Sequence, residues 1–327
     1  MMLGSVLVTP AFASKPEDLA LRWKVINRVA RHHPLTDLGF AVYLHSARSV
    51  FWGDLKKNLE PYLNVPITVH APVDADRPEK CDLTTVDGWT SLMRVCDFAH
   101  DIGAKVVDVH PSVAHPKKLS STDDTHKIQE EWLEQVTRNV HHVQDRTDIA
   151  VAVENEPLLL QRPGRLVFDG ADASLSQLSF LAQRGIKLCF DTAHYVITAS
   201  TVKWLSTRDA KDDNHLAYAG FRWYNPKDFE AMPPLNEVLS KLAPSIIDVH
   251  FNDAKANGFV GGLPAFTEAV PPEGGGMVRY ADLSSIVEAK KHDSSLFVIN
   301  AEISETNHFK PVNAESCLNQ LCEKFKI

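Results

Sequence analysis

Apolar and polar positions alternate along this chain in a long-period pattern. Short β-branched runs occur at residues 3–9, 39–44, 66–69, 105–109, 149–153, 186–190, 246–249 and 296–300. Between them lie stretches with apolar residues at three- and four-residue spacing, at residues 17–30, 88–102, 128–143, 175–184, 235–242 and 281–291. The first kind of segment predicts buried strands and the second predicts helices with one apolar face. Strands that alternate with helices are joined by crossovers and run parallel. Eight such units predict an α/β chain closed into a (β/α)₈ TIM barrel, a single domain over residues 1–327. An open doubly wound sheet has fewer units and a glycine-rich phosphate turn, and neither GxGxxG nor a P-loop occurs.

In such a barrel the loops after the strands build the active site. Two are expected to be enlarged. Residues 198–234 carry Trp204, Tyr218, Phe221, Trp223 and Tyr224 and read as a packed insertion or a substrate wall. Residues 252–277 are rich in glycine and proline.

Composition narrows the function. Hydrophobic residues make up 44% and charged residues 23%, enough apolar mass for a large core. No run is long and apolar enough for a membrane helix. The net charge of −8, with scattered lysine and arginine, disfavours a nucleic-acid partner relative to a small molecule. Five cysteines with no Cys-x-x-Cys pair predict free thiols in a reducing compartment. The opening MMLGSVLVTPAFAS lacks a positive n-region, and Thr9-Pro10 interrupts its short apolar run. It is expected to be the first strand, in a cytoplasmic protein.

The chemistry is carried by the strand ends. The third to eighth strands run out at His70, His110, Glu154, Asp191, His250 and Glu302, at spacings of 40, 44, 37, 59 and 52 residues. Each gap is about one strand–helix unit, with the two longest absorbing the enlarged loops. Side chains at these positions converge on the barrel axis. One histidine there is commonly structural and one acid commonly a helix cap, but six in register predict a shared cleft. Three carboxylates packed together repel and take up protons unless a cation lies among them. Oxygen and imidazole donors suit Zn²⁺, Mn²⁺, Mg²⁺, Co²⁺ or Fe²⁺, at one or two ions per chain.

The motifs VHAPVD at His70, VVDVHP at His110, VAVENEP at Glu154, IKLCFDTAH at Asp191 and His194, IIDVHFNDA at His250, PPEGGGM near Gly274 and INAEIS at Glu302 follow one another in order. In that order the chain resembles the xylose isomerase-like barrels, the group of sugar and sugar-phosphate isomerases and epimerases that also includes endonuclease IV. The resemblance spans residues 65–302. It implies one metal held by Glu154, Asp191, His250 and Glu302, with Glu154 and Glu302 also moving a proton alpha to a substrate carbonyl. It further implies a second metal at His70, His110 and Glu154. His194 is expected to take part in catalysis, bind substrate or orient Asp191, and Lys255, just after HFND, is expected to be an exposed loop lysine, its alternative being a contact for a substrate phosphate or carboxylate. Glu156 is expected to cap the next helix, its alternative being a spare base. The third metal of endonuclease IV needs an Asp-x-His after the seventh strand, and residues 252–277 contain no histidine. The expected activity is therefore a metal-dependent isomerase or epimerase, or a related lyase, in a chain able to form homo-oligomers. The alternatives are an endonuclease IV-like phosphodiesterase on abasic DNA and a barrel with a vestigial site.

Overall fold

Eight short runs close into one sheet. The computed structural model describes residues 5–34, 36–45, 52–72, 81–111, 125–162, 165–168, 174–206, 232–260, 263–273, 275–291, 293, 295–305 and 310–326. The barrel strands are β1 (Ser5–Ala11), β2 (Asp37–Tyr43), β3 (Ile67–His70), β4 (Val106–Val109), β5 (Ala150–Glu154), β8 (Lys187–Asp191), β9 (Ile246–His250) and β12 (Phe297–Asn300). They pair in parallel in the closed order β1-β12-β9-β8-β5-β4-β3-β2. The fold is a TIM barrel, and the eight runs read from the sequence agree with it to within one or two residues at most ends.

Period-two alternation divides each strand between two cores. Outward residues such as Leu7, Val69, Val107, Val153 and Val249 join the large cluster under the helices. Inward residues Val6, Val8, Ala41, Val106, Ala152, Cys189, Ile247 and Val298 form a smaller cluster within the barrel. Packing between neighbouring strands is tight at Gly39, where an added Cβ would lie 1.8 Å from the Pro66 carbonyl oxygen.

The covering helices are α1 (Pro16–His32), α2 (Trp52–Leu59), α3 (Val86–Asp101), α4 (Thr125–Gln144), α5 (Leu175–Gln183), α6 (Thr192–Ser206), α7 (Leu235–Leu242), α8 (Ser284–Lys290) and α9 (Val312–Phe325). Their starts follow local chemistry. The Thr85 side chain caps α3 by accepting from Gly88 N at 3.0 Å, and Ser174 and Gln177 form a capping box on α5.

The structure corrects the loop reading in three places. The expected loop 198–234 begins inside α6, because Asp191 accepts the His194 backbone N–H at 2.7 Å and starts a helix running to Ser206. Tyr218, Phe221, Trp223 and Tyr224 lie outside the described residues. The loop 252–277 contains an antiparallel hairpin, β10 (Asp253–Val260) and β11 (Leu263–Val270). A second hairpin, β6 (Leu159–Arg162) and β7 (Arg165–Phe168), follows β5. Helix α6 packs on β10 and β11, and Trp204 meets Phe259 with ring centroids 6.1 Å apart.

Candidate metal centre

The C-terminal ends of the strands bring the predicted residues together. His70, Glu154, Asp191 and His250 are the last residues of β3, β5, β8 and β9, while His110 follows β4 directly and Glu302 lies two residues beyond β12. One donor atom from each of Glu154, Asp191, His250 and Glu302 lies within 4.8 Å of all the others. Glu154, Asp191 and His250 are buried, and the Glu302 side chain is 25% exposed.

Glu154 is the hinge of the arrangement, with its two oxygens facing opposite walls. Oε1 lies 3.1 Å from His250 Nδ1 and 3.6 Å from His194 Nδ1. Oε2 lies 3.1 Å from His70 Nε2 and 3.3 Å from His110 Nε2. His250 Nδ1 also lies 3.1 Å from Glu302 Oε2 and 3.9 Å from Asp191 Oδ2.

Hydrogen bonds from behind fix how the rings present themselves. His70 Nδ1 donates to the Ala71 carbonyl at 2.8 Å, and His110 Nδ1 meets the Glu156 carboxylate. With their protons held on Nδ1, both rings offer an Nε2 lone pair toward one carboxylate oxygen. Three acceptors aimed at one point repel unless a proton or a cation sits among them. The donor set thus fits a divalent ion on either side of Glu154, and the backing carbonyl and carboxylate are the partners that metal-binding histidines require.

Burial and charge act against each other throughout the cluster. Burial alone would push Glu154 up, but the charged His250 ring beside it more than offsets this and holds the carboxyl well below the usual range. The same opposition holds Glu302 low, through His250. Asp191, with weaker compensation, is pushed by burial up to about 7. Burial lowers His110 to about 4, which keeps its ring neutral. For His194 the burial penalty is outweighed by Asp191, Glu268 and Glu154, which raise it to about 9. A site that pushes one carboxylate to take up a proton at neutral pH gains from a cation in its place.

Several contributors were not anticipated. Asn252 donates to Asp191 Oδ2 at 3.0 Å and accepts from the Ala193 backbone N–H at 3.0 Å. Asn155 clasps the Asp191 backbone, accepting its N–H at 2.7 Å and donating to its carbonyl at 3.0 Å. Tyr43 stacks on His70 with centroids 4.5 Å apart. Glu156, expected as a helix cap, instead backs His110. Asn155 and Glu156 directly follow Glu154 in ENEP, and Asn252 lies two residues after His250 in HFND, so nearness to a candidate ligand was their only sequence signal.

His194 lies at the edge of the cluster, its Nδ1 donating to the Asn155 carbonyl at 2.7 Å. Lys255 is exposed on β10 opposite Thr267, and the structure does not bring it into the cluster. The base of that hairpin is fixed by Asp253, whose Oδ1 accepts from the backbone N–H groups of Ala254, Met277 and Val278 at 2.7–2.8 Å. Gly276 packs on that carboxylate so closely that a Cβ would collide with it.

Among curated proteins no sequence matches this chain. Solved structures resemble it along nearly the whole length. The apo 3-keto-D-glucoside 4-epimerase YcjR of E. coli superposes with a TM-score of 0.56 at 13% identity, covering 97% of this chain and 99% of that one. D-Psicose 3-epimerase of Clostridium cellulolyticum, with D-tagatose, gives 0.55 at 9% identity, covering 97% and 98%. The TTHB071 protein of Thermus thermophilus, soaked with ZnCl₂, gives 0.52 at 15% identity, covering 97% and 98%. At such identities these likenesses speak to fold. Residues 35–314 match the model of the xylose isomerase-like TIM barrels, and the chain belongs to that family.

Proposed function

We propose that this chain is a divalent-metal-dependent isomerase or epimerase that moves a proton alpha to a carbonyl on a sugar, sugar phosphate or similar polyhydroxylated small molecule. The observation that carries this reading is the convergence of Glu154, Asp191, His250 and Glu302 at the barrel mouth, their donor atoms within 4.8 Å of one another. These four would hold the ion, which when bound supplies Lewis acidity to a substrate carbonyl oxygen.

The remaining work falls to side chains. A base must reach the substrate, and Glu302 is the most open of the four, at 25% exposure. We assign it the proton removal. Its depressed affinity for protons keeps it ionised at neutral pH. Glu154, with four imidazoles around its carboxylate, receives or returns the proton from the other side of the substrate. His194, raised to about 9, is charged at neutral pH and suits binding a substrate oxygen at the edge of the cluster. The E. coli and Clostridium structures named above are epimerases, in keeping with this reading. The test is solvent exchange. Metal-loaded protein in D₂O should place deuterium alpha to the carbonyl of at least one ketose or hydroxy acid in a broad panel, and Glu302→Gln should abolish it. No exchange across the panel would contradict the proposal.

One observation favours a second reading. His70 and His110 both aim Nε2 at the far oxygen of Glu154, and these three residues would hold a second ion beside the first. Such a pair suits hydrolysis of a phosphodiester, as at an abasic site in DNA. Nicking of an abasic duplex that is lost in Glu154→Gln would put this reading first.

A further inference from the structure

Beneath the mouth, inside the barrel, lies a second group of donors that the chemistry above does not use. Asp108 on β4, Cys189 on β8, Asp248 on β9 and the far edge of the His250 ring each place one donor atom within 4.8 Å of the others. All four residues are completely buried. Both oxygens of Asp108, both oxygens of Asp248 and His250 Nε2 have no hydrogen-bond partner. Five unpartnered polar atoms at one buried point are costly, and far more so when carboxylates are among them.

The backbone departs from regularity to build this group. β8 and β9 pair Leu188 with Ile246 but Cys189 with Asp248, so Ile247 is an extra residue in β9. Without the irregularity, alternation running out at Ile246 and in at Ile247 would carry Asp248 to the helix side. The irregularity turns the acid inward and level with the thiol, and such bulges are built features of sheets.

Two explanations compete. A proton shared between the two carboxylates would satisfy one oxygen of each. It would leave the Nε2–H of His250 with Asp108 Oδ2 at 3.8 Å as acceptor, too far for a hydrogen bond. Two ligands on one tetrahedral ion lie about 3.3–3.6 Å apart, within a few tenths of that distance. A cation would occupy all four donors at once.

We propose that Asp108, Cys189, Asp248 and Nε2 of His250 form an interior site for a divalent transition-metal ion. Sulfur, nitrogen and oxygen donors together select Zn²⁺ over Mg²⁺ or Ca²⁺. His250 then joins two ions through opposite nitrogens, Nδ1 toward the mouth and Nε2 toward the interior. Loading releases the Cys189 thiol proton, the His250 Nε2 proton and any proton on the carboxylate pair to solvent. The four donors are completely buried, so the interior ion's role is to hold His250 in place rather than to meet substrate.

The test uses cobalt as the probe, on the full chain. No sulfur lies among the mouth ligands, so a near-ultraviolet thiolate-to-cobalt charge-transfer band reads the interior site alone. Cobalt-saturated wild-type protein should show that band. Cys189→Ser should lose it while keeping wild-type circular dichroism and the visible bands of the mouth cobalt. A wild-type spectrum without the band, or a band that survives in Cys189→Ser, overturns the interior site. If Cys189→Ser does not fold, X-ray absorption on zinc-loaded wild-type protein decides: a sulfur shell at about 2.3 Å supports the site, and a purely oxygen and nitrogen shell overturns it. Metal-dependent exchange without any sulfur signature would sink the interior site and leave the mouth site standing.

Discussion

Asn252→Ala separates holding the fold from holding the metal ligands. Asn252 is buried, with its amide donating to Asp191 Oδ2 and its carbonyl accepting from Ala193 N–H. Truncation strands both groups in a buried setting, at about 1–3 kcal/mol each, so roughly 2–6 kcal/mol of stability is at stake before water enters the gap. The same change frees the Asp191 carboxylate to rotate away from His250. Loss of a partner that orients a ligand typically costs about 10–100-fold in metal affinity, or about 1.4–2.8 kcal/mol. Denaturant unfolding of the metal-free variant measures the first quantity. Competition with a chelator of known affinity, under conditions where the variant remains folded, measures the second. A variant that is less stable yet binds metal within twofold of wild type would refute the orienting role and leave Asn252 as a structural residue alone.

Three further outcomes follow from the same geometry. Glu302→Gln should lower kcat by about 10²–10⁴-fold, as expected for losing a general base, with substrate affinity changed far less, and steady-state kinetics on the identified substrate checks the split. Metal affinity should rise with pH through about 7, because burial holds a proton on Asp191 that the cation must displace; below that point the loss approaches tenfold per unit, about 1.4 kcal/mol. The rise should continue toward 9 as His194 gives up its charge, and Asp191→Asn should remove the lower step in a calorimetric titration. Gly39→Ala should destabilise the barrel by about 1–3 kcal/mol or more, because its Cβ meets the Pro66 backbone at 1.8 Å and not a movable side chain; thermal unfolding reads it.

The barrel was legible because its strands are buried on both faces, and runs such as IIDVH and VAVE stand out against amphipathic helices. The strand ends were legible for a related reason, since His70, Glu154, Asp191 and His250 interrupt apolar runs at the point where the chain leaves the sheet. The β10–β11 hairpin was not. Its outer face is exposed from Lys255 to Phe259, and glycines break the alternation that identifies a strand. Helix α6 was hidden because its cap is Asp191, a residue read from the sequence only as a candidate ligand. Asn155, Asn252 and Tyr43 matter through contacts across strands far apart in sequence, which no local pattern records. Asp108 and Asp248 sit in the middle of runs that read simply as core.

The proposed chemistry requires acids and imidazoles from separate strands to gather around a cation. Anomalous diffraction from crystals grown with Mn²⁺ or Zn²⁺ tests it most directly. A peak is expected among Glu154, Asp191, His250 and Glu302, with donor atoms at bonding distance from it. Saturating metal with no peak there, and only water between those side chains, would contradict it.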